Sequence, residues 1–221
     1  MRMSRRAGLL DSGKCLIDAP VGSVLKLNET IGGVTTAQQF LIISHGYYYT
    51  WATILARRYL FESPQKWDNT EPSSFDGSDI KTWLTNTYYN YFDQSVKDKM
   101  QWTMLPIGEG AASAAPYIFT FSGTELGFSA AGMEDYQDSA IPYFAGSAQR
   151  VFKTEGGVSG LPFWTRSIDN NNANNVFIST ATGSLSTAAY NTSNWVLPAL
   201  QLSSATPLAD ELDAQGHYTL L

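Results

Sequence analysis

The spacing of apolar residues along the chain predicts mainly short β-strands. Past a Pro-Gly turn signal, residues 20–27 alternate apolar and polar side chains, which is typical of a strand with one buried face. Residues 40–44 form a continuous apolar run and predict a buried strand. Gly32 and Gly33 mark a turn between these two strands, which we therefore expect to pair as a hairpin. Further strands are predicted at residues 47–51, 54–60, 104–107, 117–121, 162–165, 176–179 and 196–200.

Two short helices are predicted before residue 101. The first has an apolar stripe at helical spacing, and Ser78 precedes it as an N-cap. The stripe consists of Ile80, Trp83, Leu84 and Tyr88. The second helix is predicted over residues 94–100, and Asp93 begins it. The predicted fold class is therefore α+β, with short antiparallel strands, two early helices and long ordered loops.

Length and composition bound the organisation of the chain. With 221 residues, of which 43% are hydrophobic, the chain is long enough to bury one sizeable core. We expect one domain over residues 20–203, an N-terminal arm over 1–19 that is an anchor or is flexible, and a C-terminal tail over 204–221. The low charged fraction of 15% is typical of binding modules and packed assemblies, so we expect a homo-oligomer or other protein neighbours.

The charge distribution argues against several partners. A net charge of −6 is unfavourable for nucleic-acid binding, which depends on Lys and Arg neutralising phosphates. The arm is the exception, with the cations Arg2, Arg5, Arg6 and Lys14. A basic arm of this size is either a solvated tail or an anchor on an acidic partner. No apolar run approaches the roughly 20 residues of a membrane span, so membrane insertion is not expected. The single Cys15 allows no internal disulfide, which favours cytoplasmic synthesis.

The last quarter of the chain carries the candidate binding surface. No residue from Asn170 to Ala209 has a formal charge. Amides and hydroxyls donate and accept hydrogen bonds without the cost of desolvating a charge, and Tyr or Trp adds a flat face for a sugar ring or a peptide. The predicted ligand-binding residues are Asn170, Asn171, Asn172, Asn174, Asn175, Tyr190, Asn191, Thr192, Asn194 and Trp195. The open alternative is a solvated loop that binds nothing.

Four residues are predicted to support this surface rather than to bind. Trp83 and Trp164 are expected in the core, because large aromatic side chains in a helix stripe and a strand fill interiors. Arg166 lies in an apolar block, where a guanidinium needs carboxylate or carbonyl partners. We interpret it as a structural clamp, with ligand contact as the alternative. Pro198 belongs to the last apolar block, which predicts a closing strand.

Catalysis and cofactor binding have little support in the sequence. His45 and His217 are far apart along the chain, and no Gly-x-Ser-x-Gly elbow is present. The acidic residues considered for calcium or for glycoside hydrolysis are Glu125, Glu134, Asp135 and Asp138. Their spacing fits no dedicated calcium loop, although calcium stays an open alternative. Two His and one Cys are too few to favour a transition-metal site. We expect no enzyme activity and no cofactor.

Five segments, in this order, resemble the signature blocks of an uncharacterised domain family of bacteriophages, prophages and gut Firmicutes. They are residues 20–24 (PVGSV), 78–86 (SDIKTWLTN), 118–127 (IFTFSGTELG), 163–167 (FWTRS) and 197–200 (LPAL). The family's typical forms include a Trp-Leu-Asn helix core, a Leu-Ser-x-x-Glu-x-Gly turn, a Trp-Trp-Leu-Arg-Ser block and a final Arg-Pro-Ala-Leu. Thr165 stands where the family prefers Leu, and Leu197 where it prefers Arg. We therefore expect the end of the fold to be braced differently here, by Trp195.

This resemblance implies a C-type-lectin-like fold, similar to formylglycine-generating-enzyme domains and to the variable tropism determinants of phage tails. In such proteins the last Trp-to-Pro-Ala-Leu segment is exposed on the surface and is often hypervariable. The implied function is a bacteriophage structural and receptor-binding protein on the virion, made in the cytoplasm of the bacterial host. Its implied partners are other virion subunits and a host-surface glycan or protein. The alternatives are an architectural capsid decoration or collar protein and a non-catalytic relative of formylglycine-generating enzymes, whose cysteine pair this chain lacks.

Overall fold

The chain folds into a mixed α+β structure that consists mostly of β-sheet. The computed structural model describes residues 13–71, 74–107, 111–112, 116–133 and 139–221. Its strands are β1 (Val24–Ile31), β2 (Val34–His45), β3 (Ala52–Arg57), β4 (Gln65–Lys66), β5 (Met100–Gln101), β6 (Pro106–Ile107), β7 (Ala111–Ala112), β8 (Ile118–Phe119), β9 (Phe163–Ile168), β10 (Asn175–Ser179), β11 (Leu185–Ala189), β12 (Ser193–Asn194), β13 (Ala199–Ser203) and β14 (Tyr218–Thr219). The helices are α1 (Asp79–Asn86) and α2 (Gln94–Lys97), with short 3-10 helices at Leu16–Asp18, Tyr88–Tyr91, Pro142–Phe144 and Ser147–Arg150.

A seven-stranded sheet forms the centre of the fold. Its order is β14-β1-β2-β3-β13-β5, and β8 also pairs with β13. The β14–β1 pair is parallel and the other pairs are antiparallel. All six residues of β3 are buried, as expected for a central strand of a sheet that is covered on both faces.

The predicted hairpin of the first two strands is confirmed. β1 and β2 pair in register from Val24↔Leu41 to Ile31↔Val34. Gly32 and Gly33 connect them with φ values of +58° and +81°, the left-handed conformation that a two-residue hairpin turn requires at both positions. Along β1 the buried residues alternate with less buried ones, as the pattern predicts.

Both predicted helices are present, and both are shorter than predicted. The Ser78 hydroxyl caps α1 by accepting a hydrogen bond from the Lys81 N–H at 3.2 Å. Ile80 and Leu84 are fully buried, whereas Trp83 is only partly buried and packs against the core. The prediction that Trp83 fills the interior is therefore wrong in degree. The second helix ends at Lys97, because Met100 begins β5 and pairs with β13.

The strand predicted at residues 47–51 is absent. This segment instead reverses the chain between β2 and β3. Gly46 adopts φ +71° and donates a hydrogen bond to the Ala52 carbonyl, and Ala52 donates back to the Tyr49 carbonyl. The aromatic composition that favours a strand is overridden by this closed turn.

Both described ends of the chain pack against the central sheet. Leu16 is fully buried and its N–H donates to the Thr206 carbonyl at 2.9 Å. β14 pairs in parallel with β1, and Leu208 is fully buried. Residues 13–19 and 204–221, predicted as part of an arm and as a tail, are thus integrated into the fold. The rest of the arm, residues 1–12, lies outside the described residues.

No helix in the described part of the chain has the length and apolar character needed to span a bilayer.

Candidate functional site

The predicted binding residues lie at one end of a second, three-stranded sheet with the order β11-β10-β9. Residues 169–174 connect β9 to β10, and residues 190–192 lead from β11 into β12. We call the surface formed by residues 169–174 and 190–195 the amide platform. Of the predicted ligand-binding residues, six are exposed and four are partly buried. The exposed ones are Asn170, Asn171, Asn172, Asn174, Asn191 and Thr192, and the partly buried ones are Asn175, Tyr190, Asn194 and Trp195.

The first segment of the platform is a turn held by its own side chains. The Asp169 carboxylate accepts the Asn171 N–H at 3.0 Å, and the Asn172 side-chain oxygen accepts the Asn174 N–H at 3.2 Å. The Asn172 N–H in turn donates to the Asp169 carbonyl at 2.9 Å. Short Asn and Asp side chains stabilise turns in this way because they replace a backbone acceptor. Some of the predicted ligand-binding amides therefore also shape the surface.

A neighbouring loop braces this turn from the side. The Asn170 N–H donates to the Gly132 carbonyl at 2.7 Å, and the Asn171 side-chain amide donates to the Ala131 carbonyl at 2.9 Å. Gly132 has φ +81°, and a Cβ built there would lie 2.1 Å from the Asn171 amide nitrogen. Because only glycine fits this conformation and this contact, the brace depends on Gly132.

The two predicted parts of the platform meet in space. Asn175 of β10 is paired with Ala189 of β11, and the Tyr190 N–H donates to the Asn174 carbonyl at 3.1 Å. The Thr192 hydroxyl closes the second turn by donating to the Ala189 carbonyl at 2.7 Å. The sequence predicted both segments, and the β10–β11 hairpin brings them together.

The segment around β4 forms a border of the platform that the sequence analysis missed. Ser193 and Asn194 of β12 pair with Lys66 and Gln65 of β4. The Tyr190 carbonyl accepts hydrogen bonds from the N–H groups of residues 67 and 68 at 3.0 and 3.1 Å. The uncharged run of the sequence is therefore bordered in space by the exposed Lys66 and by Asp68. The sequence signal for this border was Trp67, a large aromatic residue inside an otherwise polar loop, which indicates that the loop packs against the core.

Two fully buried tryptophans connect this border to β9. The Trp67 indole N–H donates to the Thr165 carbonyl at 3.0 Å, and the Trp164 indole N–H donates to the Gln65 carbonyl at 2.8 Å. The prediction that Trp164 is a core residue is confirmed. Trp195 contributes through its backbone, since its carbonyl accepts the Trp164 N–H at 3.0 Å. These contacts fix the platform to a rigid interior.

Arg166 is confirmed as a buried clamp. Its guanidinium binds the Glu125 carboxylate with both terminal nitrogens, and the Nη2 to Oε1 distance is 2.9 Å. Glu125 also accepts the Ser122 N–H at 2.9 Å and the Tyr48 hydroxyl, so both carboxylate oxygens are used. The Glu125 N–H donates back to the Ser122 hydroxyl at 3.0 Å, which completes a capping box. Since Glu125 is fully buried by this clamp, the calcium alternative does not hold for it.

Pro198 is buried ahead of β13, and its carbonyl accepts the Arg57 N–H at 2.9 Å. Leu197, where the resembled family prefers Arg, is fully buried in the apolar core. The predicted structural role of Pro198 is thus consistent with its position. Glu134, Asp135 and Asp138 lie outside the described residues.

The side chains of the platform and of His45 are arranged for hydrogen bonding. His45 is engaged inside the fold, with Nδ1 2.8 Å from the Thr53 hydroxyl and Nε2 2.9 Å from the Ala19 carbonyl. Within the described ranges, no group of three or more His, Cys, Asp or Glu is placed to hold a metal ion. What the platform offers a ligand is a set of exposed amides and hydroxyls on a fixed backbone.

Comparison with known proteins places the platform and the Glu125–Arg166 clamp inside a family domain. A model for a domain of unknown function, DUF6273, matches residues 52–204, well over half of the chain. No curated protein and no solved structure matches the chain at a significant level. The chain therefore belongs to the DUF6273 family, a family of domains of unknown function.

Proposed function

We propose that this protein is a bacteriophage virion protein that presents the amide platform to a glycan or protein of the host surface. The proposal includes a C-type-lectin-like domain, implied by the sequence resemblance. The mainly antiparallel central sheet, the two helices before β5 and the long ordered loops are compatible with that fold.

One observation carries the binding proposal: exposed amides lie on a backbone that is already fixed. Asn170, Asn171, Asn172 and Asn174 are exposed, yet their turn is held by internal hydrogen bonds and by the 131–133 loop. A surface that is ordered before binding loses less conformational entropy when a ligand arrives. On a particle with many copies, avidity raises the strength of weak individual contacts.

The binding test uses the full chain, a panel of bacterial cells and an array of bacterial surface glycans. The platform variant is Asn174→Ala combined with Asn191→Ala, two exposed residues for which the structure gives no side-chain hydrogen bond within the described ranges. The matched control is Asn86→Ala, an exposed asparagine at the end of α1. The proposal predicts that wild type and control bind and that the platform variant loses binding. Absence of wild-type binding, or equal binding by the platform variant, contradicts it.

A specific observation favours the architectural alternative, a decoration or collar protein. Tyr49, Trp51 and Trp102 form an aromatic cluster, with ring centroids 5.0 Å apart for Tyr49 and Trp51 and 5.9 Å apart for Tyr49 and Trp102. Trp51 is 59% exposed and Trp102 is 49% exposed. Exposed aromatic clusters of this kind are typical of protein interfaces.

Chemical labelling separates the two proposals. Protein incorporated into particles would be footprinted at the aromatic cluster and at the platform. Protection of the cluster with an accessible platform supports receptor binding. Protection of the platform itself supports the architectural role.

A further inference from the structure

A groove of about 640 Å³ lies apart from the amide platform. None of the predicted ligand-binding residues lines it. Its walls come from Leu41 of β2, from residues 58–59 directly after β3, from the two 3-10 helices at Pro142–Phe144 and Ser147–Arg150, and from residues 151–160. The volume is within the range of about 300–1,000 Å³ that is typical of small-molecule sites. The residues that matter for its chemistry are Arg58, Tyr59, Tyr143, Gln149 and Lys153. We call it the cationic groove.

The charge of this groove is opposite to that of the whole chain. The chain has a net charge of −6, whereas the groove contains two cations and no acidic residue among the side chains described as lining it. Among the described residues, neither Arg58 nor Lys153 forms a salt bridge. Two cations without a carboxylate partner favour an anionic ligand.

Arg58 is held in position by neutral groups. Its backbone N–H donates to the Gln39 carbonyl at 2.8 Å, and its Nη1 donates to the Gln39 side-chain oxygen at 2.7 Å. The guanidinium lies 5.6 Å from the centre of the Tyr59 ring. These contacts orient the guanidinium without neutralising it, which leaves it suited to pair with a carboxylate or phosphate.

A backbone hydrogen bond connects Lys153 to the segment that carries Arg58. Its carbonyl accepts the Leu60 N–H at 2.9 Å, so residues 58–60 and 153 keep a fixed spacing. The Lys153 side chain is exposed and adds a mobile positive charge at the rim. The two cations thus differ, because the Arg58 guanidinium is held in one orientation whereas the exposed Lys153 side chain can adjust to a ligand.

The aromatic side chains supply flat faces beside these charges. Tyr143 is half-buried, and burial raises the pKa of its hydroxyl above the usual 10.0, while the nearby Arg58 charge partly offsets the rise. The Tyr143 hydroxyl is therefore a neutral hydrogen-bond donor at physiological pH. Tyrosine faces stack on the apolar faces of sugar rings, and Gln149 at the rim adds an amide.

We propose that the cationic groove is a second binding site, for an acidic saccharide whose ring stacks on Tyr59 or Tyr143 and whose carboxylate or phosphate is bound by Arg58 and Lys153. This inference does not depend on the function proposed for the amide platform, since it uses different residues.

The test is isothermal titration calorimetry on the full chain with three probes. Galacturonic acid trimer carries carboxylates, glucose 6-phosphate carries a phosphate, and maltotriose is a neutral control. The proposal predicts that at least one acidic probe binds, that maltotriose binds more weakly than that probe, and that added salt weakens the acidic interaction. The stronger acidic probe identifies whether carboxylate or phosphate is preferred.

Variants locate the binding. Arg58→Gln with Lys153→Gln is expected to weaken the acidic probe by about tenfold or more. The matched control, Lys97→Gln with Lys99→Gln, changes the net charge equally and is expected to leave the affinity unchanged. Because Arg58 also contacts Gln39, thermal unfolding of each variant is recorded. Lys153→Gln alone, at an exposed side chain, is expected to weaken binding by about two- to fivefold and covers the case in which the double variant does not fold.

Four outcomes overturn the proposal. The first is that neither acidic probe binds, and the second is that maltotriose binds as tightly as the acidic probes. The third is that the groove and control variants weaken the acidic probe equally. The fourth is that the Asn174→Ala, Asn191→Ala variant loses binding of the acidic probe and the groove variant does not. The last outcome places the acidic sugar on the amide platform and supports the function proposed there. If only the proposal for the cationic groove is contradicted, the function proposed for the amide platform is unaffected.

Discussion

Two buried arginine–glutamate pairs lie in different regions of the described part of the chain, and they differ in how many carboxylate oxygens accept hydrogen bonds. In the region below the amide platform, Glu125 accepts hydrogen bonds at both oxygens, from Arg166, the Ser122 N–H and the Tyr48 hydroxyl. In the central sheet, Glu29 of β1 accepts hydrogen bonds at Oε1 only.

The central pair is only partly satisfied. Glu29 Oε1 accepts the Arg57 Nε–H at 3.3 Å and the Tyr88 hydroxyl, and its Oε2 is buried without a partner in the described structure. Arg57 also donates to the Tyr59 and Leu60 carbonyls at 3.1 and 3.0 Å. Burial raises the pKa of Glu29 above its ordinary 4.5, and Arg57 and Tyr88 offset only part of the rise. Desolvation thus outweighs pairing at this site.

Buried salt bridges therefore differ in how far hydrogen bonds compensate the desolvation of the carboxylate. A carboxylate with donors at both oxygens resists replacement, whereas one with an unused oxygen tolerates a change at that oxygen. The fully used pair lies inside the family domain of residues 52–204, close to the platform. The half-used pair connects that domain to the N-terminal hairpin.

The largest effect is expected for Glu125→Gln. One of the two acceptor oxygens becomes an NH2 group, and in either orientation this group faces an N–H donor of Arg166. We expect the free energy of unfolding to fall by about 3–5 kcal/mol, because the charge of Arg166 loses its partner in the interior. Urea unfolding followed by tryptophan fluorescence measures this loss. A loss below about 1 kcal/mol would show that the clamp contributes little.

Next in size is Gly132→Ala, which tests the platform above that clamp. The positive φ and the contact with Asn171 predict a loss of about 1–3 kcal/mol, together with displacement of the turn at residues 169–174. Amide hydrogen exchange of Asn170, whose N–H is bonded to Gly132, is expected to become faster. Unchanged exchange would mean that the turn does not depend on this brace. The matched control is Gly156→Ala, at a positive φ with open space around the added Cβ.

A smaller effect is expected for Glu29→Gln, the same substitution in the other pair. The amide oxygen replaces Oε1 and the NH2 group replaces the unpartnered Oε2, so no donor faces a donor. Arg57 keeps its hydrogen bonds to the amide oxygen and to the Tyr59 and Leu60 carbonyls, and the neutral amide avoids the desolvation cost of the Glu29 charge. We therefore expect a loss of about 1 kcal/mol, measured by the same urea unfolding at neutral pH. A loss equal to that of Glu125→Gln would remove the distinction between the two pairs.

The stability cost of Glu29→Gln is expected to depend on pH. Because the pKa of Glu29 is raised in the folded protein, its protonated form contributes stability below about pH 4.5. That contribution is lost as the pH rises through the folded-state pKa. The stability cost of Glu29→Gln relative to wild type is therefore expected to shrink as the pH rises from 4 upward. Urea midpoints of both proteins across this range measure it, and a cost that grows with pH would have the wrong sign.

The smallest effect on stability is expected for Asn174→Ala on the platform. The side chain is exposed, and the turn uses the Asn174 backbone rather than its amide. We expect a change within about 0.5 kcal/mol, measured by thermal and urea unfolding. A larger loss would indicate that this amide supports the fold, and binding assays on it would then need a different variant.

Much of the local structure was predictable from the sequence, because its causes are local. The β1–β2 hairpin follows from two apolar runs around Gly32 and Gly33, and the start of α1 follows from Ser78. The strand predicted at residues 47–51 is wrong because a turn closed by Gly46 outweighs aromatic strand propensity. The helix ends were also misplaced, since pairing of Met100 with β13 depends on a strand about 100 residues later.

The sequence predicted residues of the candidate site but did not predict which other segments surround them. The two amide-rich segments and the Arg166 clamp are recognisable from uncharged polar runs and from a cation in an apolar block. Lys66 and Asp68 at the border, and the Glu125 partner, are distant in sequence. Similarly, Arg58 and Lys153 are separated by 94 intervening residues, so no sequence pattern indicates that they line one groove.

By itself, the sequence determined the alternation that makes strands, the caps that begin helices and the choice of neutral amides over charges in the last quarter. These properties depend on side chains within a few residues of one another. The tertiary structure sets which carboxylate each buried arginine meets, which segments border the platform and how Arg58 and Lys153 come to line one groove. Those outcomes depend on packing between strands far apart in the chain, where burial determines the cost of every unpaired polar atom.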